Sequence, residues 1–264
     1  MTKIISDNVN GEPININFGL TLRTPPGCLP FTTDAFLLSA YISRPAGTFV
    51  RAAELGAGSG AVSLLTVCRG TADTVTAFEV QPELYEALCQ NIEENGYSDR
   101  ITPVAADIRE LTPSIYAGQF DLVFSNPPYL RPGTGLSSSS RVSDICRREV
   151  LGGIREFTAC AAMLLRYGGM FYAVYRPERI VTLLRALSDV GLELKIMTYV
   201  YPDANSTPSL VLVGARRGGG EGARITAPLF IYKDVLSEDG CREETDVFRE
   251  IYEKGCFPEG YVLR

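Results

Sequence analysis

A chain of 264 residues, 45% of them hydrophobic and 21% charged, fits one large α/β domain with small additions. It contains no histidine, which excludes Ser-His-Asp and Cys-His catalysis and most catalytic zinc sites. The net charge of −6 argues against a polyanionic partner only until it is divided along the chain: Arg131 to Arg217 holds 12 basic against 7 acidic residues, a balance of +5, and the remainder carries −11.

Residues 1–10 lack the apolar core of a signal peptide, and no later run reaches a membrane span. The seven cysteines are scattered without a Cys-x-x-Cys pair, so neither a disulfide framework nor a metal site is expected, and reduced thiols in a cytoplasm fit. INFGLTLRT alternates like a strand or hairpin, and TTDAFLLSAYIS reads as a short helix capped near Thr32 or Thr33. Strand and helix patterns then alternate: VRAAEL, GAVSLLTVCR, TVTAFEV, and PELYEALCQNIEENG with Pro82 suited to a first helical turn. ITPVAAD and FDLVFSN are the third and fourth strands. The amphipathic stretch DICRREVLGGIREFTACAAMLLRYGG leads into the strand MFYAVYR, the helix PERIVTLLRALSDVG, and two last strands, LELKIMTYV and SLVLVGARR. This order predicts a doubly wound, mostly parallel seven-stranded sheet with an antiparallel strand at the edge, whose ligand lies beyond the carboxyl ends of the strands. Residues 1–48 are expected to be a hairpin and short helix packed on the core, 49–217 the ligand-binding domain, and 218–264 a C-terminal extension.

ELGAGSG, Glu54 to Gly60, falls between the first strand and its helix. Glycine there lets backbone approach a ligand, and the exposed amides at the helix start favour polar or anionic groups. Gly56, Gly58 and Ala61 also satisfy the glycine fingerprint of nicotinamide binding. Glu79, ending the second strand, accepts ribose hydroxyls in either cofactor class. Asp107, ending the third, offers an acceptor for an adenine amino group, and Ile108 an apolar face for the ring. The fourth strand stops on Asn126, Pro127, Pro128 and Tyr129. Proline fixes φ and removes a donor, and it pushes the preceding residue into extended geometry. The Asn126 amide and the Pro127 carbonyl are thereby held in a stiff segment. Carboxylates and an amide at four successive strand ends, with no histidine as acid or base, disfavour a dehydrogenase.

The order ELGAGSG, Glu79, AD, SNPPY resembles class I S-adenosylmethionine-dependent methyltransferases that modify a planar nitrogen. NPPYLRPGTG, CRRE and LLRYGGMFYAVYRPER, with TDAFLLSAY and APLFIYKD, are similar to the bacterial tRNA (adenine-N6)-methyltransferase family acting on adenosine 37 of a valine tRNA. CRRE and YRPER carry Arg148 and Tyr175 where relatives usually have His. The resemblance implies a Rossmann-like methyltransferase fold and S-adenosylmethionine as cofactor, leaving as S-adenosylhomocysteine. It implies no metal and no membrane. The cofactor-binding set becomes Asp34, Glu54, Gly56, Ala57, Gly58 and Gly60, then Glu79, Val80, Asp107, Ile108 and Asn126.

On that chemistry, Asn126 Oδ1 and the Pro127 carbonyl accept the two N–H bonds of an exocyclic amine and turn its lone pair toward the methyl donor, while Tyr129 stacks on an extruded base. Positioning replaces a strong base. RNA, and tRNA first, is the expected partner, gripped by Arg131, Arg141, Arg147 and Arg148 after the motif and by Arg176 and Arg179 in RPER. Glutamine-N5 methylation of release factors, ribosomal-RNA guanine-N2 methylation and a non-catalytic RNA-binding relative are the alternatives.

Overall fold

The structure is a computed structural model and describes residues 12–26, 28, 31–47, 49–128, 153–236 and 242–263. Near the N-terminus, β1 (Ile14–Asn15) and β2 (Thr21–Leu22) pair antiparallel, Ile14 opposite Leu22, and form the expected hairpin. Helix α1 (Thr33–Tyr41) follows; Thr32 is its N-cap by backbone conformation, without a side-chain hydrogen bond. Then come β3 (Arg51–Leu55), α2 (Ala61–Cys68), β4 (Thr74–Glu79), α3 (Pro82–Glu94), β5 (Ile101–Ala105), the single turn α4 (Pro113–Tyr116) and β6 (Phe120–Ser125). After residue 152 the chain forms α5 (Ile154–Leu164), β7 (Leu165–Tyr175), α6 (Ile180–Asp189), β8 (Leu192–Tyr201) and β9 (Leu210–Arg217).

Strands β5, β4, β3, β6 and β7 lie side by side and parallel. The antiparallel strand is β9, and it lies between β7 and β8. Beyond β8 the sheet gains two short parallel strands, β10 (Arg224–Ile225) and β11 (Leu229–Phe230), making nine strands where seven are expected from the sequence. Two-residue pairings have too few residues to leave an alternation signal. Strand β7 begins five residues before MFYAVYR, because Leu165 pairs with Phe120 across an irregularity that restores register at Leu122 and Met170.

Side-chain alternation places helices on both faces. Ala52 and Leu122 face a core with α1, α2 and α3, whereas the adjacent Ala53 and Val123 face α5 and α6. The chain end joins the first core. The hairpin β12 (Tyr232–Leu236) with β13 (Arg242–Glu244) leads to α7 (Asp246–Lys254), which is capped by Thr245 Oγ1 accepting from the Phe248 amide and ended by Gly255 at φ 67°. Its Phe248 and Ile251 are fully buried, and Phe257 packs edge-on against Tyr41 at 5.1 Å. Among the described residues no helix is long and apolar enough to cross a membrane.

Candidate active site

Because β3, β4, β5 and β6 are parallel neighbours, Leu55, Glu79, Ala105 and Ser125 end at one edge. A cavity of about 210 Å³ opens there. Asp34, Glu54, Gly56, Ala57, Gly58, Glu79, Val80, Asp107, Ile108, Asn126, Pro127 and Pro128 all line it. Tyr129, Arg131, Arg141, Arg147 and Arg148 lie outside the described residues, as does the part of the amphipathic stretch before residue 153.

The glycine turn owes its path to three left-handed residues: Gly56 (φ 68°), Gly58 (φ 57°) and Gly60 (φ 89°). A Cβ on Gly58 would meet nothing within 4 Å, so this backbone stands open to the cavity side. Gly60 does not line the cavity. It is the N-cap of α2, and a Cβ there would come within 2.5 Å of Leu88 Cδ1. Its requirement for glycine comes from the φ of 89°, and the close approach of Leu88 on α3 adds to it.

Glu79, 4% exposed, accepts from the Gly58 amide (2.8 Å) through Oε2 and from the Val80 and Gln81 amides (2.9 and 2.8 Å) through Oε1. Burial raises its pKa against the pull of these bonds. A carboxylate has about four acceptor directions, and the Gln81 side chain takes the fourth, so a ligand hydroxyl would have to share or displace that bond. Glu54, 1% exposed, accepts from the Ser63 amide (3.0 Å) and hydroxyl, and burial pushes its pKa up to about 8. Asp107 is held by a neighbour that no sequence motif marks. Arg109 donates to it from its backbone (2.9 Å) and bidentately from its guanidinium, which lowers the carboxyl pKa. An adenine amino group would share this carboxylate with Arg109. At the fourth strand end, Ser125 donates to the Leu55 carbonyl (2.8 Å), tying the base of the Asn-Pro-Pro segment to β3.

The cavity has two walls that the sequence does not announce. Leu22, Cys28, Phe31 and Thr32 come from the N-terminal segment, and Phe157 comes from α5, close enough to crowd a Cβ on Gly56 at 3.3 Å. Phe78, Leu84 and Val62 complete the apolar lining. Periodicity marks Leu22, Val62, Phe78, Leu84 and Phe157 as core positions, with nothing to separate cavity wall from core.

The basic segment does not form one face. Arg176 and Arg179 follow β7 at the cavity edge, whereas Arg166 begins β7 and Arg216 and Arg217 end the antiparallel β9, at the opposite edge. Arg176 donates to the Ser209 carbonyl (3.1 Å). The guanidinium of Arg179 lies 5.4 Å from the Tyr175 ring centroid, turned inward rather than solvated. Arg166 pairs with Asp121 and Arg155 with Asp189. Among the described residues no group of acidic and cysteine side chains is placed to hold a metal ion.

Residues 3–152 match the family model described as Conserved hypothetical protein 95. The chain is 30% identical over 191 residues to a tRNA1(Val) (adenine(37)-N6)-methyltransferase of Cronobacter sakazakii, covering 72% of this chain and 76% of that protein. It is 31% identical over 192 residues to the protein of the same name from Shigella dysenteriae serotype 1, with the same coverage. Among solved structures, a "predicted O-methyltransferase, protein Atu636" from Agrobacterium tumefaciens superposes with a TM-score of 0.67 at 22% identity, over 88% of this chain and 100% of that one. The hMettl16 catalytic domain, solved in complex with the MAT2A 3'UTR hairpin 1, gives 0.57 at 19% identity, over 80% and 79%. These likenesses establish the fold.

Proposed function

Since the chain belongs to the tRNA1(Val) (adenine(37)-N6)-methyltransferase family, we propose that it transfers a methyl group from S-adenosylmethionine to the N6 amine of an adenosine in tRNA. The observation that carries this reading is the meeting of Asn126, Pro127 and Pro128 with Glu54, Glu79 and Asp107 around one cavity.

The residues present fit the cofactor. Gly58 leaves backbone open beside the cavity, the Glu79 carboxylate lines it as an acceptor that a ribose hydroxyl would share with the Gln81 side chain, and Val80 and Ile108 give apolar walls for a flat ring. Bound S-adenosylmethionine supplies an electrophilic methyl group on a sulfonium. The chain's own part is positioning. An exocyclic amine is a weak nucleophile because its lone pair is delocalised into the ring. Asn126 Oδ1 and the Pro127 carbonyl accept its two N–H bonds and hold the lone pair out of the ring plane. As the nitrogen gains positive charge these two acceptors bind it more tightly, so they stabilise the transition state more than the ground state. Tyr129 stacks on the base, and Arg131, Arg141, Arg147, Arg148 and Arg176 contact phosphates around it.

The test is methyl transfer from radiolabelled S-adenosylmethionine to total tRNA, ribosomal RNA and release factor, followed by nucleoside and peptide analysis. N6-methyladenosine in the tRNA fraction is the expected product. Label in 2-methylguanosine or in methylglutamine would overturn the substrate assignment while leaving the methyl-transfer chemistry standing.

A further inference from the structure

Two asparagines one turn apart, Asn91 in the last turns of α3 and Asn95 at its C-cap, grip the segment that forms the outer wall of the cavity. Asn91 Oδ1 accepts from the Arg23 amide (2.8 Å), and its Nδ2 donates to the Arg23 carbonyl (2.9 Å) and to the Ser59 carbonyl (2.8 Å). Asn95 repeats the pattern on Thr21, accepting from its amide (2.9 Å) and donating to its carbonyl (2.7 Å). A carboxamide carries the same donor and acceptor as a peptide group, so each side chain behaves as a residue of a neighbouring strand. The spacing suits this. Residues four apart on a helix are about 6 Å apart along its axis, and residues two apart on an extended chain about 6.6 Å. Leu22 sits between the two gripped residues, 1% exposed and lining the cavity. Arg23 adds an ion pair with Glu94 at 2.9 Å.

Asn91 differs from Asn95 in its third bond. Ser59 belongs to the glycine turn and lines the cavity, so Asn91, itself fully buried, joins the glycine turn and the N-terminal wall through one amide. Three of its four hydrogen-bonding directions are used, both donors among them. We propose that Asn91 is a positioning residue that sets cofactor affinity by holding these two walls of the cavity at a fixed separation. The proposal rests on the assignment of the cavity to S-adenosylmethionine.

The informative variant is Asn91→Asp, nearly the same in shape. Its carboxylate still accepts from Arg23 but faces two carbonyls, whereas the protonated acid donates to one of them again. Burial raises the pKa of such an acid, so the defect is pH-dependent. The dissociation constant for S-adenosylmethionine is expected to rise about tenfold or more at about pH 8.5 and to recover at about pH 6, with kcat at saturating cofactor within about twofold of wild type. Hydrogen exchange, measured without cofactor, is expected to be faster at the Arg23 amide in Asn91→Ala and at the Thr21 amide alone in Asn95→Ala. Unchanged affinity in Asn91→Asp at both pH values would overturn the proposal. So would an equal loss in affinity and kcat that tracks a fall in Tm, which marks a merely structural role. If the wild-type protein binds no S-adenosylmethionine, the cofactor reading falls, while protection at Arg23 still decides whether Asn91 holds the wall.

Discussion

The Gly58 amide donates to Glu79 Oε2 at 2.8 Å, joining the glycine turn after β3 to the carboxylate that ends β4. The two sequence signals from which a nucleoside site is expected are thus one hydrogen-bonded unit. Glu79 shapes the turn and also lines the cavity.

Glu79→Ala is accordingly expected to do two things. It removes the proposed ribose acceptor, weakening S-adenosylmethionine binding by roughly 1.5–3 kcal/mol, and it strands the Gly58, Val80 and Gln81 amides. Calorimetry reads the first effect and a lowered Tm the second. Cofactor affinity equal to wild type would remove Glu79 from the ribose site.

Glu54 makes stability depend on pH in a defined direction. The folded protein holds its proton up to about 8, whereas an unperturbed glutamate releases it near 4.5. Between those values the folded state binds more protons than the unfolded chain, so this contribution is complete at the acid end and is lost as pH rises to about 8. Glu54→Gln cannot titrate. Urea unfolding without cofactor is expected to give a flatter decline across that window, with Glu79 and Glu244, both also raised by burial, contributing to the slope that is left. An unchanged slope would place the titration elsewhere.

Asn126→Ala separates binding from chemistry. The amide is assigned to the target amine, so cofactor affinity is expected to stay within about threefold while kcat falls by about 100-fold or more. Tyr129→Phe is expected to be mild and Tyr129→Ala severe, because stacking needs the ring. Near-normal turnover in Asn126→Ala would end the two-acceptor mechanism.

The split of the basic segment between opposite sheet edges gives a contrast for RNA binding. Reversal of Arg147 and Arg148 to Glu is expected to abolish tRNA methylation at moderate salt. It is also expected to lower the salt slope of binding by about 0.7 for each phosphate of a single-stranded region that is no longer neutralised. Arg216→Glu, at the far end of β9, is expected to leave that slope alone. Equal effects at both places would mean that the overall field, and not a local grip, holds the RNA.

Most of the core is legible in the sequence because its signals are local. Short, mostly apolar runs such as TVTAFE and FDLVFS mark strands buried on both faces, and glycines at positions 56, 58 and 60 are needed because φ there is positive. Asn-Pro-Pro is stiff in any context. These features follow from single residues and their neighbours, so the strand ends bearing Glu54, Glu79, Asp107 and Asn126 can be placed from the amino-acid order alone.

What the tertiary structure decided depends on groups far apart in the chain. Arg23 and Asn91 are 68 residues apart, and no periodicity in either segment announces their pairing. The insertion of β9 between β7 and β8, the return of α7 to the core beside α1, and the separation of Arg176 from Arg216 likewise follow from which strand closes on which. Local sequence sets each element's type and the direction its side chains alternate. Its neighbour is chosen by burial and hydrogen bonding summed over the whole molecule, which is why the strand-end residues that line the cavity are readable along the chain and the wall that closes over them is not.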